Sequence, residues 1–267
     1  MNQSDSPDRN APLLRLYSKS PLKQRKFREI SELLPEHTNL KCLDIGSDNG
    51  VISLLLRKRG GEWTSADLIP ETVEAIRSVV GERVDRIDGR TTPYANERFD
   101  LIVIVDFLEH ISTDREFIVE LARISKSGAT LIVNVPNPRR GLLRWVRKII
   151  GQTDAAHGHL RPGYSLEELT QLLAPNFVIE SHNGYSKFFS ELADTVITAA
   201  MDCLKKISGG KKRGQKGTIV TALDMRKMGT SFKIFSLIYP FMALMVQMDA
   251  LLFWMRGSML IVRARRR

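Results

Sequence analysis

Cysteine is almost missing: two in 267 residues, Cys42 inside an apolar run and Cys203 in a helical stretch. That count supports neither a disulfide framework nor a thiolate metal site, and points to a reducing compartment. The first residues do not read as a secretory leader either. Residues 1–8 (Met-Asn-Gln-Ser-Asp-Ser-Pro-Asp) are polar and partly acidic, with no basic segment leading into an apolar one, so export by a signal peptide is not expected. There is no internal repeat. His157 and His159 flank a glycine, but no third ligand accompanies them, so no metal site is expected.

An uninterrupted apolar run of bilayer length is missing as well. Residues 234–255 come nearest, but Pro240, Gln247 and Asp249 fall inside them. A centred Asp costs about 2.5–3.5 kcal/mol in a membrane helix, which argues against a span. Two readings stay open for this segment. It is a lid packed on the core or on a second subunit, or an interfacial anchor that puts Phe232, Phe235, Tyr239, Phe241, Phe253 and Trp254 at the headgroup boundary. Residues 139–150, with Arg139, Arg140, Arg144, Trp145, Arg147 and Lys148, form a second basic amphipathic stretch of similar chemistry.

What is present is an ordinary globular composition, 43% apolar and 26% charged. The length suits one large domain or a domain with a sub-domain. The charge of +10 is unevenly placed: residues 201–267 hold 14 Lys or Arg against 3 Asp or Glu, and the first 200 residues come out at −1. Such asymmetry points to a polyanionic surface, an anionic membrane or nucleic acid, as a partner of residues 201–267; a solvated basic face is the plainer alternative.

Helical spacing runs through residues 22–34, closed by Pro35, after a segment, 1–20, that reads as flexible. Strand patterns at 40–45, 62–67, 84–88, 99–105, 129–135 and 177–181 then alternate with helical patterns at 50–59, 70–80, 114–124 and 165–173. The run Leu101-Ile102-Val103-Ile104-Val105 is apolar at every position, as expected of a strand covered on both faces in a parallel sheet. The pattern predicts an α/β, doubly wound, mostly parallel sheet of seven strands, with a helical insertion before a last strand at 258–262. The expected organisation is a flexible segment and cap helix over 1–37, a core domain over 38–185 and 257–267, and a basic, apolar insertion over 186–256 that includes a glycine- and lysine-rich loop.

The most informative stretch is Cys42-Leu43-Asp44-Ile45-Gly46-Ser47-Asp48-Asn49-Gly50, a strand ending in a glycine turn that opens a helix, followed by a second strand ending in Asp67. Gly46 lets the backbone bend sharply and lets a ligand come close. Asp67 lies near the offset at which a carboxylate meets a ribose in nucleotide-binding folds. Asp88-Gly89 ends a third strand pattern, and Asp106-Phe107-Leu108-Glu109-His110 follows the fourth. Read singly, Asp88-Gly89 is also an ordinary turn, and Glu109 and His110 can simply begin a helix.

Together these segments resemble the class I S-adenosylmethionine-dependent methyltransferases, in particular the group that includes the quinone-biosynthesis enzymes. The resemblance covers residues 38–181, with 258–265 as a last strand. It implies S-adenosyl-L-methionine as cofactor, held by Asp44, Gly46, Asp48 and Gly50 of the first loop, with Asp48 standing in place of the usual middle glycine. It further implies Asp67 and Leu68 at the ribose, Asp88 and Gly89 at the adenine, and Asp106 and Phe107 beside the transferred methyl. Residues 157–165 resemble the group's substrate-side stretch. His110 is the expected general base, with His157 or His159 as substitutes.

The acceptor expected is a small molecule or a lipid-linked one, handled by a cytoplasmic protein able to touch the inner face of a membrane. Nucleic acid is disfavoured, because position 106–109 reads Asp-Phe-Leu-Glu rather than an Asn-Pro-Pro-Tyr-like motif, and the tail's aromatics lie among aliphatic residues. A fold-retaining scaffold without catalysis is the competing reading. Oligomeric state is not legible.

Overall fold

The computed structural model describes residues 10–36, 39–138, 160–207 and 229–267. The amphipathic stretch at 139–150, His157, His159 and the glycine- and lysine-rich loop lie outside these residues. Among the described residues the strands β1 (Lys41–Ile45), β2 (Glu62–Asp67), β3 (Val84–Arg86), β4 (Phe99–Val105), β5 (Ser125–Pro136), β6 (Phe177–Tyr185) and β7 (Met259–Arg266) form one sheet in the order β3-β2-β1-β4-β5-β7-β6. Only β7 runs against its neighbours, pairing antiparallel with both β5 and β6. The doubly wound, mostly parallel seven-stranded sheet expected from the pattern is present.

The apolar run of β4 shows why the sheet is covered twice. Successive side chains on a strand point to opposite faces. Ile102 and Ile104 therefore join a core with Leu43, Ile45, Leu131 and Val133, covered by the helices α5 (Asp114–Ile124) and α6 (Leu166–Leu173) through Phe117, Leu121, Leu169 and Leu173. Leu101, Val103 and Val105 join the opposite core with Cys42 and Ile132. There Leu13 of α1 (Ala11–Tyr17), Ile30 of α2 (Pro21–Leu33), and Val51, Ile52 and Leu56 of α3 (Val51–Arg57) close over them. A fourth helix, α4 (Pro70–Val80), packs Val73 and Ile76 on Val84 of β3.

Two expectations are corrected, and a third segment is resolved. Residues 11–17, read as part of a flexible segment, form α1, because Leu13 has a buried seat in the second core. Strand β6 runs to Tyr185 rather than ending near Ser181. Its polar residues His182 and Asn183 defeat the apolar pattern, yet each pairs with β7, beyond a register shift between Ile179 and Ser181. The apolar segment at 234–255 is not one helix. Helix α8 (Gly229–Met248) gives way to a 3-10 turn at Asp249–Leu251. Among the described residues no helix is long and apolar enough to cross a membrane.

Asp249, read in sequence only as an obstacle to a span, has a positive role. Its carboxylate accepts from the backbone N–H of Lys187 (2.6 Å), Phe189 (2.9 Å) and Ser190 (3.3 Å). These belong to the entry of α7 (Phe188–Ile207), where helix N–H groups lack intrahelical partners and the helix dipole favours an anion. A buried carboxylate thus ties the end of α8 to the start of α7.

Candidate active site

The strand order places a crevice. From β1 the chain builds β2 and β3 on one side, then returns to lay β4 on the other, so the loops after β1 and β4 diverge at the sheet's carboxyl edge. In open α/β sheets, ligands bind at this switch point. Its two walls touch: a Cβ on Gly46 would stand 2.2 Å from the Val105 carbonyl oxygen and 3.1 Å from Phe107 Cβ.

The loop after β1 has positive φ at alternate residues: Gly46 (86°), Asp48 (55°) and Gly50 (80°). Asp48 adopts the left-handed conformation that the resemblance assigns to a glycine, which aspartate tolerates better than most residues. Asp44 anchors this loop from beneath. It is fully buried, and its carboxylate accepts from Ser47 Oγ (2.7 Å), Ser53 Oγ (2.5 Å) and Ser65 Oγ (2.7 Å), with the Arg57 guanidinium 3.3 Å away. Both oxygens are engaged inside the protein, so Asp44 acts on a ligand through the loop it fixes. The serines were not singled out from the sequence. A carboxylate buried in an apolar strand calls for donors, but nothing local says which.

At the end of β2, the nearly buried Asp67 accepts from the backbone N–H of Leu68 (2.7 Å) and Ile69 (3.4 Å). Beyond β3, Asp88 is exposed. Its carboxylate accepts from the N–H of Arg90 (2.8 Å) and Thr91 (2.7 Å) and from Thr91 Oγ1 (3.1 Å), bonds that hold its carboxyl below the usual carboxylate range. Gly89 behind it is buried; a Cβ there would meet Ile111 Cγ2 at 2.6 Å and Leu68 Cδ2 at 3.2 Å. Leu68, Gly89 and Ile111 therefore make one apolar contact linking the ends of β2 and β3 to the loop after β4.

That loop begins at Asp106, whose φ of 48° turns the chain out of the sheet. Asn134 of β5 donates to Asp106 Oδ1 (2.9 Å), and Tyr185 donates to Asn134 Oδ1 (2.5 Å). Burial pushes the Tyr185 hydroxyl well above its ordinary range, so it stays a donor. Phe107 is buried against Phe117. A 3-10 turn, Leu108–His110, follows; Glu109 is fully buried and His110 mostly so, with His110 Nε2 3.9 Å from Glu109 Oε1. The described part of the expected substrate-side stretch docks here. The Leu160 N–H donates to the Glu109 carbonyl (2.9 Å), and Asp114 accepts from Arg161 (2.6 Å) and from the Tyr164 hydroxyl (2.9 Å).

The structure adds Lys23 and Lys26, which the sequence reading passed over. Both lie on α2, three residues apart, the spacing that puts two side chains on one helix face. Lys26 Nζ donates to Asp106 Oδ2. Burial works to lower the Lys26 pKa, but the charge and hydrogen bond of Asp106, with Glu109 and Asp48 beyond, carry it above the usual value. For Lys23, burial wins over the pull of Asp48 and lowers it. So α2 lies over the crevice, with Lys26 bonded to Asp106 and Lys23 within the electrostatic reach of Asp48. Among the described residues no cluster of His, Cys, Asp or Glu could hold a metal ion.

A glycine backbone, a carboxylate at the second strand end and an apolar contact at the third suit an adenosyl group in chemistry. The comparisons with known proteins agree. Residues 19–176 match the family model described as "Methyltransferase domain". The chain is 28% identical over 153 residues to the demethylmenaquinone methyltransferase of Tropheryma whipplei (strain Twist), covering 50% of this chain and 64% of that one. It is 30% identical over 103 residues to the ubiquinone biosynthesis O-methyltransferase of Pseudoalteromonas translucida (strain TAC 125), covering 36% of this chain and 44% of that one. The chain thus spans less than two thirds of the length of either relative, 64% of one and 44% of the other. In fold it resembles geranyl diphosphate C-methyltransferase from Streptomyces coelicolor A3(2), solved with S-adenosyl-L-homocysteine, at a TM-score of 0.57 and 13% identity, covering 92% of this chain and 77% of that one. With more than half its length matched, and a glycine loop, strand order and crevice that agree, this chain belongs to the methyltransferase-domain family.

Proposed function

We propose that this chain transfers a methyl group from S-adenosylmethionine to a hydrophobic small-molecule or lipid-linked acceptor, working at a membrane surface. The observation that carries the reading is the crevice between β1 and β4, walled by Gly46 against Val105 and flanked by Asp67. When bound, the cofactor supplies a methyl group on a positively charged sulfur, a leaving group already built in. The protein's task is then alignment and exclusion of water.

In this reading Asp67 accepts from the ribose hydroxyls, and Leu68, Asp88 and Gly89 frame the adenine. Gly46, Asp48 and Gly50 surround the methionine end, while Asp106 and Phe107 flank the transferred methyl. His110 takes the proton from a hydroxyl acceptor as general base. The relatives' names support a quinone-like acceptor, since one is named for demethylmenaquinone and the other for ubiquinone biosynthesis. The charge balance of residues 201–267 supports a membrane surface over a soluble acceptor pool.

The test is transfer of tritiated methyl from S-adenosylmethionine into a lipid extract, a soluble metabolite extract and nucleic acid. Label in the lipid fraction is expected; label confined to nucleic acid or soluble metabolites overturns the acceptor assignment. Asp48 in the glycine loop favours a second reading, a member that keeps the fold and binds the cofactor without transferring from it. Calorimetric binding of the cofactor with no label in any fraction would decide for that scaffold.

A further inference from the structure

The proposed function leaves open which surface meets the membrane. We infer that the outer face of α8 and the turn that follows it form a docking ridge for an anionic phospholipid bilayer, set beside the roof of the crevice. This deepens the membrane part of the proposed function and stands on separate observations.

Helix α8 is apolar nearly all round. Met242 and Met245 face inward and are buried. Leu237, Phe241 and Leu244 repeat at helical spacing along an exposed stripe beside them, with Leu237 81% exposed. A helix apolar on every side is ordinarily covered on every side, so the outer stripe lacks its complement. The ridge continues past the helix through Leu251 to Phe253 and Trp254. Those two rings pack edge to face, with centroids 4.9 Å apart, and Phe253 is 80% exposed. Aromatic side chains grouped with aliphatic ones suit the headgroup boundary, where rings prefer to lie.

Charge selects the occupant. Arg256 is exposed directly after the ridge, and the Lys19 ammonium lies over the Tyr239 ring of α8, 5.1 Å from its centroid. Residues 201–267 carry +11 (14 basic less 3 acidic). A second copy of this chain would bring a protein of the same +10 against it. Anionic headgroups reverse the sign and turn repulsion into attraction.

The ridge also adjoins the site. Helix α8 packs on α2, where the Tyr239 hydroxyl donates to Gln24 Oε1 (3.3 Å), and α2 carries Lys26 to Asp106. A bilayer against α8 therefore lies next to the roof of the crevice. An acceptor with an apolar tail then reaches the site with its tail still in lipid.

The experiment is flotation of the full chain with phosphatidylcholine vesicles, with and without about 30% phosphatidylglycerol, across a salt series. The chain is expected to float with the anionic vesicles and to release as salt rises. Trp254 emission should shift to the blue, a shift lost in Trp254→Phe. The triple variant Phe241→Ser, Phe253→Ser, Trp254→Ser should bind at least about tenfold more weakly with an unchanged melting temperature, since these side chains are exposed. If the triple variant does not fold, Phe253→Ser alone and the emission shift of the unaltered chain decide. No flotation, undiminished flotation of the folded variant, or a dimer in buffer that the ridge substitutions abolish would each overturn the inference. Asp67→Ala, run alongside, should still float. In the unaltered chain, flotation without methyl transfer sinks the enzymatic reading alone, and methyl transfer without flotation sinks the ridge alone.

Discussion

Gly46 and Val105 meet backbone to backbone: a Cβ on the glycine would stand 2.2 Å from the valine's carbonyl oxygen, at a φ of 86°. The loops after the first and fourth strands can close on one another only because residue 46 has no side chain. Gly46→Ala is expected to lower stability by about 2–4 kcal/mol, combining left-handed strain with displacement of β4 backbone. Thermal unfolding checks it. A midpoint within a degree or two of the parent would show that the contact yields freely.

Asp67→Ala should weaken cofactor binding by about ten- to a hundredfold, the size expected when a ligand loses hydrogen bonds to a charged acceptor. Calorimetric titration with S-adenosylmethionine reads this directly. Equal affinity in parent and variant would remove Asp67 from the site.

His110→Ala should cut turnover by about a hundredfold or more while leaving cofactor affinity nearly intact, the split expected of a general base. Unchanged turnover on a hydroxyl acceptor would take His110 out of the reaction.

The Lys26 to Asp106 pair fixes a sign with pH. The folded pKa of Lys26 is raised by Asp106, which outweighs burial. Its stabilisation is therefore fully present below the ordinary lysine value of about 10.4 and is lost as pH rises through the higher folded value. Lys26→Met should cost about 1–3 kcal/mol at neutral pH, and its deficit against the parent should shrink only above about pH 10. A deficit that shrinks already between neutrality and about pH 9 would contradict the raised value.

Cys42 should be silent to alkylation while the protein is folded. Burial, with Asp100 and Asp44 adding to it, pushes its thiol up to about 12. In a Cys203→Ser background, iodoacetamide at about pH 8 should label the chain only on unfolding; rapid labelling of the native protein would show an open strand β1.

The parts of this protein legible in its sequence are those written by neighbouring residues. Gly46, Asp48 and Gly50 mark the loop because positive φ is a local demand. Leu101 to Val105 mark a doubly covered strand because both faces need apolar side chains. The limits of β6 were hidden, since His182 and Asn183 satisfy a ladder with β7 that the local pattern does not announce.

Sequence alone thus determined the α/β order of elements, the glycine loop and the strand-end carboxylates, since backbone preference and side-chain alternation act over a few residues. The tertiary structure decided the rest. It brought Lys26 across 80 positions to Asp106, set Asp249 on the N–H of Lys187 62 positions away, and left Leu237 and Phe253 facing outward. Electrostatic pairing and burial depend on distance in space, and distance in space is fixed only once the chain has folded.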